Sequence, residues 1–280
     1  MGDPQAKPTP GSSLKAVIGH IKGHPVIYAI GAVIAALIFV FDATDAFTRA
    51  KNVVTDLQNP HAAEYAALET LDLDTRLEFF EHNFGTAKSV FDLCQDGTCP
   101  DPVPESLRMY IHETDDLVIR AVFDGDQLEM CLVTLMSPRL SPPVEWLGYD
   151  LGRLGKATVA EVIAAATIEP TDTAIFLGAQ ATAYADVVSV GAPGSYRGLL
   201  LAWAPDGYGG PEMAFDLESG LALAEAEING DVLDPTVLAT FRSGTTPNTY
   251  GEFRDDGGYV GNLVREANDL IPLLFVGTEL

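Results

Sequence analysis

From Pro25 to Phe41 the chain reads PVIYAIGAVIAALIFVF, in which every residue after the proline is apolar or glycine. No residue between Lys22 and Asp42 carries a full charge. At about 1.5 Å per residue that run reaches about 28 Å, close to the roughly 30 Å of a bilayer's hydrocarbon, so the pattern predicts one transmembrane helix over residues 23–41. A cleaved signal peptide is the competing reading, but the following FDATDAFTRA offers no A-x-A-like cleavage site. Residues 1–22 are rich in Pro, Gly and Ser without hydrophobic periodicity and read as a disordered tail. Residues 42–58, with Phe47, Val54 and Leu57 among polar neighbours, read as a helical stalk that Asn59-Pro60 breaks. Residues 59–280 are left as the soluble domain.

Within that domain HAAEYAALETL, from His61 to Leu71, predicts a helix. A second helix is expected over Asp74 to His82, with Asp74 as its cap and Gly85 as its stop. MYIHE, LVIRAVF and LEMCLVTLM follow, separated by Asp115-Asp116 and Asp124-Gly125-Asp126, which is the spacing of an antiparallel meander. Pro138 to Pro143 interrupts the pattern, and a sub-boundary between two sheet units is placed at 138–155. Thr158-Val-Ala-Glu161 is a capping box opening a helix to Thr167. AIFLGA, ATAYADVVSV and YRGLLLAWA read as three more strands, ending at the Asp206-Gly207 turn. Residues 217–229 and 235–241 read as helices, the latter with Asp234-Pro235 as N-cap and N1. Residues 259–280 show no decisive period. The predicted class is α+β: a single transmembrane helix, then antiparallel meanders with packed helices.

Charge adds location and excludes one class of partner. The formal charge is −24 and the acidity lies beyond the first 41 residues, which carry Lys7, Lys15 and Lys22 against Asp3. Such a surface repels phosphate backbones, so nucleic acid is excluded as a partner. Three lysines precede the apolar run and only Arg49 and Lys51 closely follow it, which favours an N-terminus inside a bacterial plasma membrane and a periplasmic or extracellular domain. An inward-facing module stays open. The expected partners are membrane lipid through residues 23–41 and other membrane or extracytoplasmic proteins.

Three segments, LETLDLDTRLEFFEHNFGTA, LGKATVAEV and YADVVSVGAPGSYRGLLLAWAPDG, carry a resemblance over about residues 60–260. They resemble a family of uncharacterised, bacterial, mostly membrane-anchored proteins named after a locus tag of an enterotoxigenic coli strain. Phe84-Gly85-Thr86-Ala87 departs from that family's Leu-Gly-x-Pro turn. The resemblance implies an N-terminal anchor and a domain of unknown function, and it carries over no catalytic residue. Read physically, Gly191 to Gly194 is a tight turn between strands. The alternative is a binding loop formed by Tyr184, Gly191, Pro193, Gly194, Tyr196 and Arg197.

Catalytic and metal signatures are sparse. Gly152-Arg-Leu-Gly155-Lys156-Ala-Thr158 lacks both defining ends of a phosphate loop. No G-x-S-x-G is present, and His61, His82 and His112 are the only histidines beyond the apolar run, so no nucleophilic triad is supported. Asp124-Gly-Asp126 and Asp255-Asp256-Gly257 read as turns rather than calcium loops. In CQDGTC an Asp-Gly turn can bring Cys94 and Cys99 to disulfide distance; inert thiols or a metal half-site stay open. Zinc would require Cys131 and His112 to converge; Cys131 reads as core. No cofactor is implied. The first functional reading is a membrane-anchored binding, accessory or assembly protein, and the second is an anchored extracytoplasmic hydrolase.

Overall fold

The computed structural model describes residues 61–93, 106–178, 181–191, 196–210, 213–254 and 272–274. Contacts group the chain into units 1–62 and 63–280, and all but the first two described residues belong to the second. Helices α1 (Ala62–Glu69) and α2 (Leu77–Phe84) come first, then strands β1 (Ser89–Asp92), β2 (Leu107–Glu113), β3 (Leu117–Asp124) and β4 (Gln127–Leu135). A small hairpin of β5 (Pro143–Trp146) and β6 (Tyr149–Arg153) leads to α3 (Val159–Ala166). Strands β7 (Asp172–Leu177), β8 (Thr182–Val190) and β9 (Arg197–Trp203) follow, then α4 (Leu217–Asn229), α5 (Pro235–Gly244) and β10 (Thr249–Arg254).

Eight of these strands form one antiparallel sheet in the order β1-β2-β3-β4-β10-β9-β8-β7. Each meander runs inward from its own edge, and β10, late in sequence, closes the gap between them. Tyr250 lies opposite Val133 on β4 and Leu201 on β9. This overturns the α+β class with a transmembrane helix. The described chain is a mostly antiparallel sheet with few helices, the longest of 13 residues, and among the described residues no helix is long and apolar enough to cross a membrane. The physical reason is β10: it merges the two expected meanders into one sheet, and helices α2 to α5 cover one of its faces. The apolar run 23–41, the tail and the stalk lie outside the described residues. Residues 138–155, read as a break between sheet units, hold the β5–β6 hairpin, whose turn places Leu147 and Gly148 at φ 50° and 81°. Two consecutive positive values suit a tight two-residue hairpin turn.

Alternation along each strand separates two buried faces. One carries Ile119, Phe123, Val133, Tyr184 and Leu201 and packs with Phe80 of α2, Val162 of α3, Leu223 of α4 and Phe241 of α5. The other carries Met109, Val122, Leu132, Ala185, Leu200 and Phe253, with Leu273 and Leu274 in the same cluster. Phe253 crosses Gly198 so closely that any side chain at 198 would strike its ring. This second face also buries Arg120, which donates to Thr134 Oγ1 at 3.2 Å and pairs with Asp206. Asn248 imitates a strand there: Ala204 N–H donates to its Oδ1 at 2.7 Å, and its Nδ2 donates to Ala204 O at 3.0 Å.

Local signals explain the helix ends. Thr158 and Glu161 form the predicted capping box, and Thr167 closes α3 in the left-handed region. Asp234 accepts from Thr236 N–H ahead of Pro235. Helix α2 starts later than expected, after Arg76, with no side-chain cap. Asp74 instead receives Arg254 Nη2 at 2.7 Å, tying the turn before α2 to the end of β10. Gly85 ends the helix at φ 81°, as its sequence position suggests.

Candidate functional site

Between the end of α1 and the helix-covered face of the sheet lies a cavity of about 540 Å³. That is within the range of small-molecule sites. Its floor is set by register. Glu252 on β10 faces Cys131 on β4, and Tyr250 faces Val133, so four side chains point the same way from two paired strands. Gly251 between them keeps the strands close: a Cβ there would stand 2.5 Å from the Cys131 carbonyl oxygen. Leu68, Leu71, Leu73, Leu128 and Pro143 add apolar wall; Tyr65, Glu69, Asp72 and Glu145 add polar groups.

The roof is fastened. Helix α1 ends in a turn with Leu71 N–H on Leu68 O at 3.0 Å, and Thr75 N–H then closes on Asp72 O at 2.8 Å. The Leu73 carbonyl accepts from Gln127 Nε2 and from Arg254 Nη2, each at 2.6 Å. Tyr65 accepts Ser141 N–H on its hydroxyl at 3.2 Å, and the Arg153 guanidinium sits 5.5 Å from its ring centre.

The electrostatics of the floor are unusual. Burial pushes the Glu252 carboxyl up to about 7, with Arg197 acting against the rise and Asp72 adding to it. Arg197 reaches the site only at its rim, with Nη1 3.8 Å from Glu252 and Nη2 3.5 Å from Asp72. Burial likewise raises the Cys131 thiol, helped by Glu252, and the Tyr250 phenol, helped by Cys131 and Glu252. At neutral pH the thiol is therefore protonated. A thiol is a nucleophile only as thiolate, so Cys131 is not an activated cysteine.

The residues singled out from sequence are distributed differently. Arg197 is at the cavity rim. Tyr184 is wholly buried, donates to Asp186 and packs edge-on against Phe241 at 4.8 Å, which makes it part of the core. Gly191 is exposed at the end of β8 with φ 146°, and Tyr196 is half-buried just before β9. Pro193 and Gly194 lie outside the described residues, as do Cys94, Cys99 and Asp255-Asp256-Gly257. Cys131 and His112 do not converge: His112 packs edge-on against Phe80 at 4.8 Å, and burial lowers its pKa. Among the described residues no group of three or more His, Cys, Asp or Glu could hold a metal. Asp124-Gly125-Asp126 is the β3–β4 turn, its acids engaged by Ser106 and Arg76 at 2.5 Å each. The segment 152–158 leads into the α3 cap.

Glu252 and Tyr250 escaped the sequence reading. Their signal was the alternation in TYGEFR, where Tyr250, Glu252 and Arg254 share one side of a strand. No protein-family model, curated protein or solved structure matches the chain, so the site is read from its own geometry.

Proposed function

We propose that this chain is a binding protein, acting as an accessory or assembly component, and that the Glu252 cavity is its recognition site. The observation that carries this reading is a ligand-sized pocket whose central carboxyl has its nearest cation only at 3.8 Å, beyond hydrogen-bonding distance. A half-buried carboxyl left in that state gains from an incoming partner group. The uncharged run 23–41 and the lysines before it support attachment to a bacterial plasma membrane with the acidic domain outside, where extracytoplasmic or membrane proteins are the partners. The net charge of −24 argues against nucleic acid among them.

The test is a thermal-shift screen of chemically varied small molecules on the full chain in non-ionic detergent, beside Val133→Phe, which fills the cavity. Ligands that raise the melting temperature of the parent but not of a folded Val133→Phe support the reading. A screen in which no compound distinguishes the two proteins overturns it.

A second reading, an anchored hydrolase with Glu252 as general base, draws on the same carboxyl, since a base is most effective when it titrates near the working pH. Hydrolysis of ester, amide or glycoside probes that rises as pH passes about 7 and disappears in Glu252→Gln would establish it.

A further inference from the structure

We infer that the ligand group recognised at the base of the cavity is an alkylammonium, a primary amine on an aliphatic chain, seated on Glu252, Tyr250 and Cys131. The inference deepens the binding reading above and rests on it.

Three features of the cavity select this chemistry. The first is charge. Glu69, Asp72, Glu145 and Glu252 all line the space, with Arg197 the cation that reaches two of them from the rim. An anion entering would meet four acidic side chains against one cation at the rim, whereas a cation complements them. The second is the floor itself. Cys131 is 7 % exposed, opens into the cavity and makes no hydrogen bond among the described residues. The Glu252 carboxyl, the Tyr250 phenol and the Cys131 thiol thus line one cavity from neighbouring positions on β4 and β10. An ammonium has three donors and no acceptor: the ionised Glu252 carboxyl takes its charge, the Tyr250 phenol oxygen accepts a second hydrogen bond, and the Cys131 sulfur is a weak third acceptor. A guanidinium presents a planar fork that wants a carboxylate end-on and bidentate, and Arg197 already stands at the rim of Glu252. The third is the wall. Leu68, Leu73 and Val133 give the methylene chain an apolar lining while the charged end is held.

The site is linked to protons. The charged and titratable groups around Glu252 are Cys131 on β4, Tyr250 on its own strand, Arg197 on β9, Asp72 in the turn after α1, Glu145 on β5 and Tyr65 and Glu69 on α1, with Arg254 and Glu129 paired two residues further along β10 and β4. A bound cation favours the ionised carboxylate, so below about pH 7 ammonium binding displaces the Glu252 proton. Affinity should then be about tenfold weaker at pH 6 than at pH 8.

The test is calorimetric titration of the full chain with n-butylamine, n-butanol and butyrate, at pH 6 and pH 8. A lysine-containing blocked tripeptide and its norleucine counterpart are titrated alongside. Butylamine binding at least tenfold tighter than butanol and butyrate, weakened at least tenfold in Glu252→Gln, supports the inference. Asp72→Asn, which leaves the floor intact, should weaken it less. Tighter binding of the lysine tripeptide than of butylamine identifies the source as a partner's lysine side chain, and the reverse order identifies a free amine. Butanol binding as tightly as butylamine leaves the binding reading standing and overturns the ammonium. No binding by any probe, together with an empty thermal-shift screen, overturns both.

Discussion

Two arginine–carboxylate sites share the helix-covered face of the sheet, and they are built in opposite ways. At the first, Asp186 of β8 is fully buried and Arg242 of α5 grips it with two nitrogens, Nε and Nη2, each at 2.8 Å. Thr173 donates to Asp186 at 2.6 Å and accepts from Arg242 at 2.9 Å, and Tyr184 donates from below. Burial works against the Arg242 charge, yet the Asp186 hydrogen bonds and charge raise its pKa. Burial, with Asp186 adding, raises the Tyr184 phenol as well. Both Asp186 oxygens, the Thr173 and Tyr184 hydroxyls and the Arg242 guanidinium are all engaged there. At the second, Arg197 stops 3.8 Å from Glu252, and a cavity takes the place of the missing contacts. A satisfied buried network fixes structure, whereas a half-buried carboxyl beside a cavity leaves room for a partner from outside.

The strongest way to break this contrast is to remove Asp186. Asp186→Ala leaves Arg242, only 14 % exposed, without its counter-ion and should cost about 3–5 kcal/mol, read as a lower urea midpoint. Replacing both partners by apolar residues, Asp186→Leu with Arg242→Met, should recover most of that loss. If the single and double variants unfold alike, the pair is not the clamp described.

Glu252→Gln should do the reverse. In the unfolded chain the carboxyl loses its proton near 4.5, whereas the folded chain keeps it to about 7. Protonation therefore stabilises the fold fully below 4.5, and that contribution is lost as pH rises through 7. At about 1.4 kcal/mol per pH unit the parent forfeits up to about 3 kcal/mol by pH 8. Glutamine does not titrate, so the variant should match the parent near pH 4.5 and exceed it by up to about 3 kcal/mol at pH 8. Equal differences at both pH values would remove the proposed strain from the cavity floor.

Gly251→Ala probes the floor through its backbone. The methyl would press on the Cys131 carbonyl and the Leu132 side chain, each at 2.5 Å, forcing β10 off β4. Overpacking of this kind costs about 1–3 kcal/mol. The melting temperature should fall and cavity ligands should be lost together, while amide exchange around the Asp186 clamp, on β8, should match that of the parent.

Which parts of this picture a sequence can show follows from how far apart their residues lie. The strands β2 to β4 and β7 to β9 stand out because LVIRAVF and YADVVSV are β-branched or aromatic runs bounded by turns, and α3 because its capping box is local. β10 does not stand out: TYGEFR mixes charge with glycine, since one side faces a polar cavity and Gly251 meets a close carbonyl. Missing β10 hides both the single sheet and the site, because Cys131 and Glu252 become neighbours only through its pairing. Arg197 stands out in the sequence for a different reason, as the residue that ends a glycine-proline turn, and the structure places it 3.8 Å from Glu252.

Arg197→Met sharpens the comparison at its weakest contact. Arg197 is about a third exposed and touches its acids only at 3.5 and 3.8 Å, so its removal should cost under about 1 kcal/mol, far less than the loss of Arg242. Its electrostatic effect should be plain all the same. Arg197 is the group that restrains the rise of Glu252, so without it the carboxyl must titrate above about 7, visible in a carbon-detected NMR titration of the side chain. A large stability loss would make Arg197 a second clamp like Arg242. An unmoved titration would mean that Glu252 answers to burial alone, and the cavity would then have no cation of its own to compete with an incoming ammonium.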